Sequence, residues 1–253
     1  MKKIGIIGGA GPAASALLYK KIIQSCQQNF NCSRDSDFPE IILINYPFSE
    51  MLSEKHAQKY KFKIQKELQY CFDKLNSYNA DITIIACNTL HTFLGKINIG
   101  NLELIDLAQT TLKYATQQKL KKILILGTEQ TVQTGLYTNK TLTCAPVNSE
   151  QQKIVSVIID NILTGELKTQ DALTLTTIIA QAITNNKAAQ PETGQKTNTR
   201  FDGVILGCTE LSVLIEQYTL ELPEQTQKKI TILDPLEIVT EKLTQKLYNM
   251  RKK

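Results

Sequence analysis

The sequence predicts an α/β protein built as two similar lobes, each a parallel sheet flanked by helices, with a site between them. Short apolar runs alternate with longer amphipathic segments along the chain, the pattern of parallel strands joined by crossover helices. Two of those runs end alike, in Thr83-Ile84-Ile85-Ala86-Cys87-Asn88-Thr89 and in Val204-Ile205-Leu206-Gly207-Cys208-Thr209-Glu210. Each is apolar, then small, then Cys, then hydroxyl or amide, so each thiol sits where a buried strand hands over to a loop and helix. At 253 residues the chain has ample length for one large or two small domains.

The elements follow in order. Ile4–Gly8 is an apolar run closed by glycine, a first buried strand. Pro12 sits near the start of a helix running to about Gln28, since proline is tolerated in the first helical turn. Ile41–Tyr46 is the second strand, and a long amphipathic helix follows over Ser53–Tyr78. Ile82–Ala86 is the third strand and delivers Cys87. A short strand around Leu104 leads into a helix over Asp106–Gln118. Lys122–Leu126 opens the second series. Helices over Glu150–Thr164 and Gln170–Thr184 precede the strand Gly203–Gly207, which delivers Cys208. Ile230–Leu233 and a helix over Pro235–Met250 close the chain. The polar stretch Asn185–Thr199, with Pro191 and Gly194, reads as an exposed loop.

Composition narrows the function. Hydrophobic content of 42% and charged content of 21% are ordinary for a soluble enzyme. The net charge of +5 comes from scattered lysines, there is no Trp, and no aromatic ladder interleaves the basic residues, which argues against nucleic acid. Lys2 and Lys3 mimic a signal peptide, but the apolar part is too short and glycines follow at once. No apolar stretch approaches the roughly 18 residues a membrane span needs. Six cysteines without a secretory signal point to reduced thiols and a cytoplasmic location.

Cys87 and Cys208 are the catalytic candidates. Open α/β sheets bind ligands at the carboxyl ends of their strands. Two thiols presented there from two lobes can face each other across one small molecule, taking a proton from one face and returning it to the other. The competing reading of each thiol as a small buried hydrophobe does not account for the matched settings, whereas Cys26, Cys32, Cys71 and Cys144 lack them. Asn88, Thr89 and Thr209 follow the thiols and suit either carboxylate binding or helix capping. Thr128 and Thr131, after the strand Lys122–Leu126, invite the same two readings. Gly9-Ala10-Gly11-Pro12-Ala13-Ala14 fits a dinucleotide fingerprint, but the second strand ends Asn45-Tyr46-Pro47 without the ribose-binding acid. Ala10 and Gly11 are therefore read as a loop that lets backbone approach a small substrate. Cys87 and His91 are four apart; zinc would need more ligands, so no metal is expected. A Cys–His hydrolase is the other rival, and it leaves Cys208 unexplained.

Taken together, Gly8-Gly9-Ala10-Gly11-Pro12, Cys87-Asn88-Thr89-Leu90-His91, Gly127-Thr128-Glu129-Gln130-Thr131, Gly165-Glu166-Leu167-Lys168, Gly207-Cys208-Thr209-Glu210 and Asp234-Pro235 resemble, in order, the aspartate/glutamate racemase superfamily. The resemblance implies a cofactor-independent amino-acid racemase of two pseudo-symmetric domains, acting on a small, acidic amino acid such as aspartate. It implies a C-terminal return to the first lobe, giving 1–106 plus 220–253 as one lobe and 107–219 as the other. It makes Cys87 and Cys208 the acid–base pair, Asn45, Thr128 and Thr131 substrate contacts, and Lys168 the partner of a distal carboxylate; it also suggests a homodimer. The segment Asn45–Leu52 lacks the Arg of typical aspartate racemases and looks more like the broad-specificity branch. A superfamily decarboxylase or isomerase is the enzymatic alternative, and a small-molecule binding or redox protein the non-enzymatic one.

Overall fold

The computed structural model describes residues 1–51, 54–184, 201–224 and 230–249; the predicted loop 185–199 lies outside them. The first sheet contains β1 (Ile4–Gly8), β2 (Ile41–Asn45), β3 (Ile82–Ile85) and β4 (Glu103–Ile105) in the order β2-β1-β3-β4. The second contains β5 (Lys122–Leu126), β6 (Thr143–Pro146), β7 (Gly203–Leu206) and β8 (Thr231–Leu233) in the order β6-β5-β7-β8. Every described pairing between strands of these sheets is parallel. The two sheets therefore have the same topology, and β3 and β7 hold the same position in each.

β1 and β3 are wholly buried, as parallel strands covered on both faces must be. The helices are α1 (Pro12–Phe30), α2 (Glu54–Ser77), α3 (Asn88–His91), α4 (Leu107–Gln117), α5 (Glu129–Gln133), α6 (Ser149–Thr164), α7 (Thr169–Thr184), α8 (Thr209–Gln217) and α9 (Pro235–Asn249). Local sequence sets several of their ends. Pro12 occupies the first turn of α1 and Asn31 ends that helix in the left-handed region. Asp106 caps α4 through the Gln109 N–H at 2.8 Å, and Asn148 caps α6 through the Gln151 N–H at 2.9 Å. Gly165 closes α6 at φ 78°.

The lobes exchange one helix each. α4 follows the last strand of the first sheet but packs Ala108, Leu112 and Ala115 with Ile123, Ile125, Ile205 and Leu233 of the second. α9 follows the last strand of the second sheet and packs against α1 and α4. This corrects the predicted boundary: β8 pairs with β7 in the second sheet, so the return to the first lobe is made after residue 233, by α9, and not from residue 220. The apolar triplet of β8 completes the second sheet, and the amphipathic face of α9 covers the α1 side of the first. β6 was not predicted. Its Thr-Cys-Ala-Pro sequence carries little strand signal, and proline is tolerated there because β6 is an edge.

Candidate active site

Cys87 and Cys208 each lie two residues beyond the last residue of equivalent strands, β3 and β7. Each has extended backbone and occupies the N-cap position of the following helix, α3 and α8. Both thiols line one cavity of about 290 Å³, together with the loop Gly9-Ala10-Gly11-Pro12, the segment 48–51, Thr89, Leu163 and Glu210. The thiols are 6% and 4% exposed, so only the cavity reaches them.

Their surroundings differ. The backbone N–H groups of Leu90 and Thr89 and the Thr89 hydroxyl favour a thiolate at Cys87. Burial dominates nonetheless, and with the nearby Glu210 charge it pushes the Cys87 thiol up to about 12. Cys208 instead donates, from Sγ to Glu210 Oε2 at 2.9 Å. Burial first, then the Glu210 charge and this bond, hold the Cys208 thiol well above its ordinary range. Burial also raises the Glu210 carboxyl.

Glu210 is the cavity residue that the sequence reading did not single out. It is 3% exposed; Oε2 also accepts from the Thr209 hydroxyl at 3.3 Å, while Oε1 has no hydrogen-bond partner. Gly11, at φ 84°, makes room for it: a Cβ there would lie 1.5 Å from Glu210 Oε1. The predicted loop freedom is thus taken up by a carboxylate from the other lobe, which a bound pyrophosphate could not tolerate. The signal in the sequence was an acid two residues after a thiol, at a buried strand end.

His91 does not activate Cys87. Its Nδ1 donates to the Cys87 carbonyl at 2.8 Å and its Nε2 accepts the Leu107 N–H at 3.3 Å, which fixes the neutral tautomer and leaves neither nitrogen for Sγ. Burial lowers its basicity further. The Cys–His hydrolase reading ends there. Among the described residues no group of three or more His, Cys, Asp or Glu is placed to hold a metal ion, and no helix is long and apolar enough to cross a membrane.

The remaining predicted residues divide. Ala10, Gly11 and Thr89 line the cavity. The hydroxyls of Thr89, Thr128 and Thr131 form a buried cluster with spacings of 3.0 to 3.2 Å that ties the two lobes together. Thr128 also caps α5 and lines a second cavity of about 180 Å³. Thr209 donates to the Ala86 carbonyl at 3.2 Å, across the lobes. Asn88 is 1% exposed; its Oδ1 accepts from Tyr137 at 2.6 Å, while its Nδ2 has no partner. Asn45 is exposed at the end of β2 and outside both cavity linings. Lys168 is exposed and outside them too; its backbone N–H bonds Asp171 at 2.8 Å. That is a helix-start role, and the structure does not bring its ammonium to the thiols.

A family model described as Asp/Glu/Hydantoin racemase matches residues 7–243. The broad specificity amino-acid racemase RacX of Bacillus subtilis (strain 168) is 23% identical over 225 residues, covering 87% of this chain and 90% of that protein. Among solved structures, the Picrophilus torridus aspartate racemase superposes with a TM-score of 0.72 at 21% identity, over 97% of this chain and 94% of its own. An aspartate racemase homologue from Pyrococcus horikoshii OT3 gives 0.69 at 24%, over 97% and 98%.

Proposed function

This chain belongs to the Asp/Glu/hydantoin racemase family, and we propose that it racemises an amino acid with Cys87 and Cys208 as its acid–base pair and without pyridoxal phosphate. The observation that carries the proposal is the presentation of two thiols from equivalent strand ends to one cavity. One thiol, ionised, takes the Cα proton and becomes neutral. The other, neutral, gives its proton to the opposite face and becomes the thiolate. Atoms and charge balance, and the roles exchange in the reverse direction.

The donors around Cys87 suit it to start as the thiolate, whereas the Glu210 acceptor suits Cys208 to start as the acid. Two polar residues of the lining complement a zwitterion: Thr89 offers a donor to the α-carboxylate and Glu210 an acceptor to the α-ammonium. A carboxylate held against fixed donors stabilises the enolate character that develops as Cα loses its proton.

The aspartate preference that the resemblance implies assigned the distal carboxylate to Lys168. With that side chain outside the cavity, the dicarboxylic reading has no Lys or Arg among the described lining residues, and the broad-specificity reading is carried forward. The test is incubation of the pure protein with single L-amino acids and chiral detection of the D-form. No conversion of any amino acid would refute the racemase reading, and conversion that survives Cys208→Ala would refute the two-thiol mechanism.

A further inference from the structure

We propose that Tyr137 is a positioning residue that holds the two thiols in alignment across the lobe boundary; its part in catalysis rests on the racemase reading. Tyr137 follows α5 and is 1% exposed, packed in the core of the second lobe with Ile123, Ile205 and Leu233. Gly135, at φ 65°, turns the chain there, and the Thr138 N–H closes the turn on its carbonyl at 2.9 Å. A ring in a core needs no hydroxyl, and a buried phenol oxygen must find a partner. This one finds it in the other lobe: Tyr137 Oη donates to Asn88 Oδ1 at 2.6 Å. Asn88 is the residue after Cys87. The ring meanwhile lies over Gly207, the residue before Cys208, where a Cβ would stand 3.4 Å from Cε2. One side chain thus braces the neighbour of each thiol.

A second contact completes the brace. Thr209, after Cys208, bonds the carbonyl of Ala86, before Cys87, at 3.2 Å. Each thiol is therefore flanked on both sides by residues that reach the other lobe. The two ties are unequal. The Thr209 hydroxyl also lies 3.3 Å from Glu210 Oε2, and its single proton cannot serve both acceptors at once. The Tyr137 bond is shorter and undivided. Asn88 Nδ2 has no partner, so the Tyr137 hydroxyl sets how the Asn88 amide lies. Burial first, then the Asp106 and Asp234 charges, hold the Tyr137 phenol well above its ordinary range, which keeps it a donor. Two thiols that act on opposite faces of one carbon tolerate little misplacement, since about 1 Å can cost about 100-fold in rate.

Tyr137→Phe in the full chain keeps the ring and removes only the hydroxyl. With the amino acid the parent converts best, kcat should fall about 10- to 100-fold while KM changes less than about 3-fold. Tyr248→Phe is the control. It removes another buried phenol hydroxyl, bonded to the Asp37 carbonyl at 2.9 Å and outside the cavity lining, so it should cost stability and leave kcat unchanged. Iodoacetamide alkylation, followed at each cysteine by mass spectrometry, reads the brace without turnover. Tyr137→Phe should speed both thiols about 5-fold, the change in a local opening equilibrium that one neutral hydrogen bond supplies. Asn88→Ala breaks the same bond from its other end and should accelerate both alike, with the double variant no faster than either single one. Unchanged kcat and alkylation in Tyr137→Phe, equal kcat losses in Tyr137→Phe and Tyr248→Phe, or additive acceleration in the double variant would overturn the proposal. If the parent makes no D-form of any amino acid, the racemase reading falls and alkylation alone decides the brace. If Tyr137→Phe racemises like the parent with alkylation unchanged, the brace falls and the racemase stands.

Discussion

Glu210→Gln is the most informative single change in the protein, because it keeps the shape of the side chain and removes its charge. The carboxylate accepts from Cys208 at 2.9 Å and opposes the ionisation of both thiols, with a hydrogen bond as well as charge acting on Cys208 and charge alone on Cys87. The sign follows. Removing an acceptor and a like charge makes each thiolate easier to form, and more so at Cys208. A hydrogen bond to a charged group is worth about 1.5–3 kcal/mol, or about one to two pKa units at Cys208. Thiolate at a fixed pH below the pKa then rises about 10- to 100-fold, but intrinsic nucleophilicity falls as the pKa falls, offsetting close to half of that on a logarithmic scale. The net expectation is iodoacetamide alkylation of Cys208 about 3- to 10-fold faster, with a smaller gain at Cys87. Each cysteine is followed by mass spectrometry of its peptide across the neutral-to-alkaline range. Unchanged or slower alkylation of Cys208, with Glu210→Asp alike, would refute the assignment of Glu210 as the group that holds Cys208 protonated.

The other predictions are more direct. Cys87→Ala and Cys208→Ala should each abolish conversion in both directions, while solvent deuterium exchange at Cα survives with one enantiomer only, as read by mass spectrometry. Because both thiols are raised by burial, the form with one thiolate is scarce at neutral pH and kcat/KM should climb with pH through the alkaline range; Glu210→Gln should move that limb to lower pH. Gly11→Ala places a Cβ on Glu210 Oε1 and a side chain at φ 84°, so it should lower the melting temperature and displace Glu210, with a cost of about 1–3 kcal/mol for the backbone strain alone.

The fold was legible because parallel strands buried on both faces read as continuous apolar runs, and both thiols were legible because each ends such a run. β6 was hidden by its proline and its edge position, and the helix exchange by the fact that periodicity shows an apolar face without showing which sheet it covers. The lining of the candidate site was legible where chemistry and local sequence coincide, at Cys87, Thr89, Cys208 and the glycine loop. It failed where the role depends on what the other lobe brings. Glu210 acquires its meaning from Gly11, nearly two hundred residues earlier in the chain, and Tyr137 from its 2.6 Å bond to Asn88. Lys168 differs in the opposite sense: its side chain is exposed and outside the cavity linings, and the bond it makes, at 2.8 Å to Asp171, comes from its backbone N–H.

The unequal surroundings of the two thiols bear on the reaction in a restricted way. An amino acid and its mirror image have equal free energy, so kcat/KM must be the same in both directions, whatever Glu210 does to one thiol. Asymmetry is confined to how each direction divides between kcat and KM. In the free protein the Cys208 thiol donates to Glu210 Oε2, whereas Cys87 has nearby donors that ease its ionisation against the cost of burial. The enantiomer whose Cα proton faces Cys87 therefore needs the singly ionised form that is easier to reach, and the other must draw a proton away from Cys208. The first should show the lower KM and the second the higher, with kcat offset in the same ratio. Glu210→Gln should bring the two sets of constants together, because it removes the group that makes the two faces different.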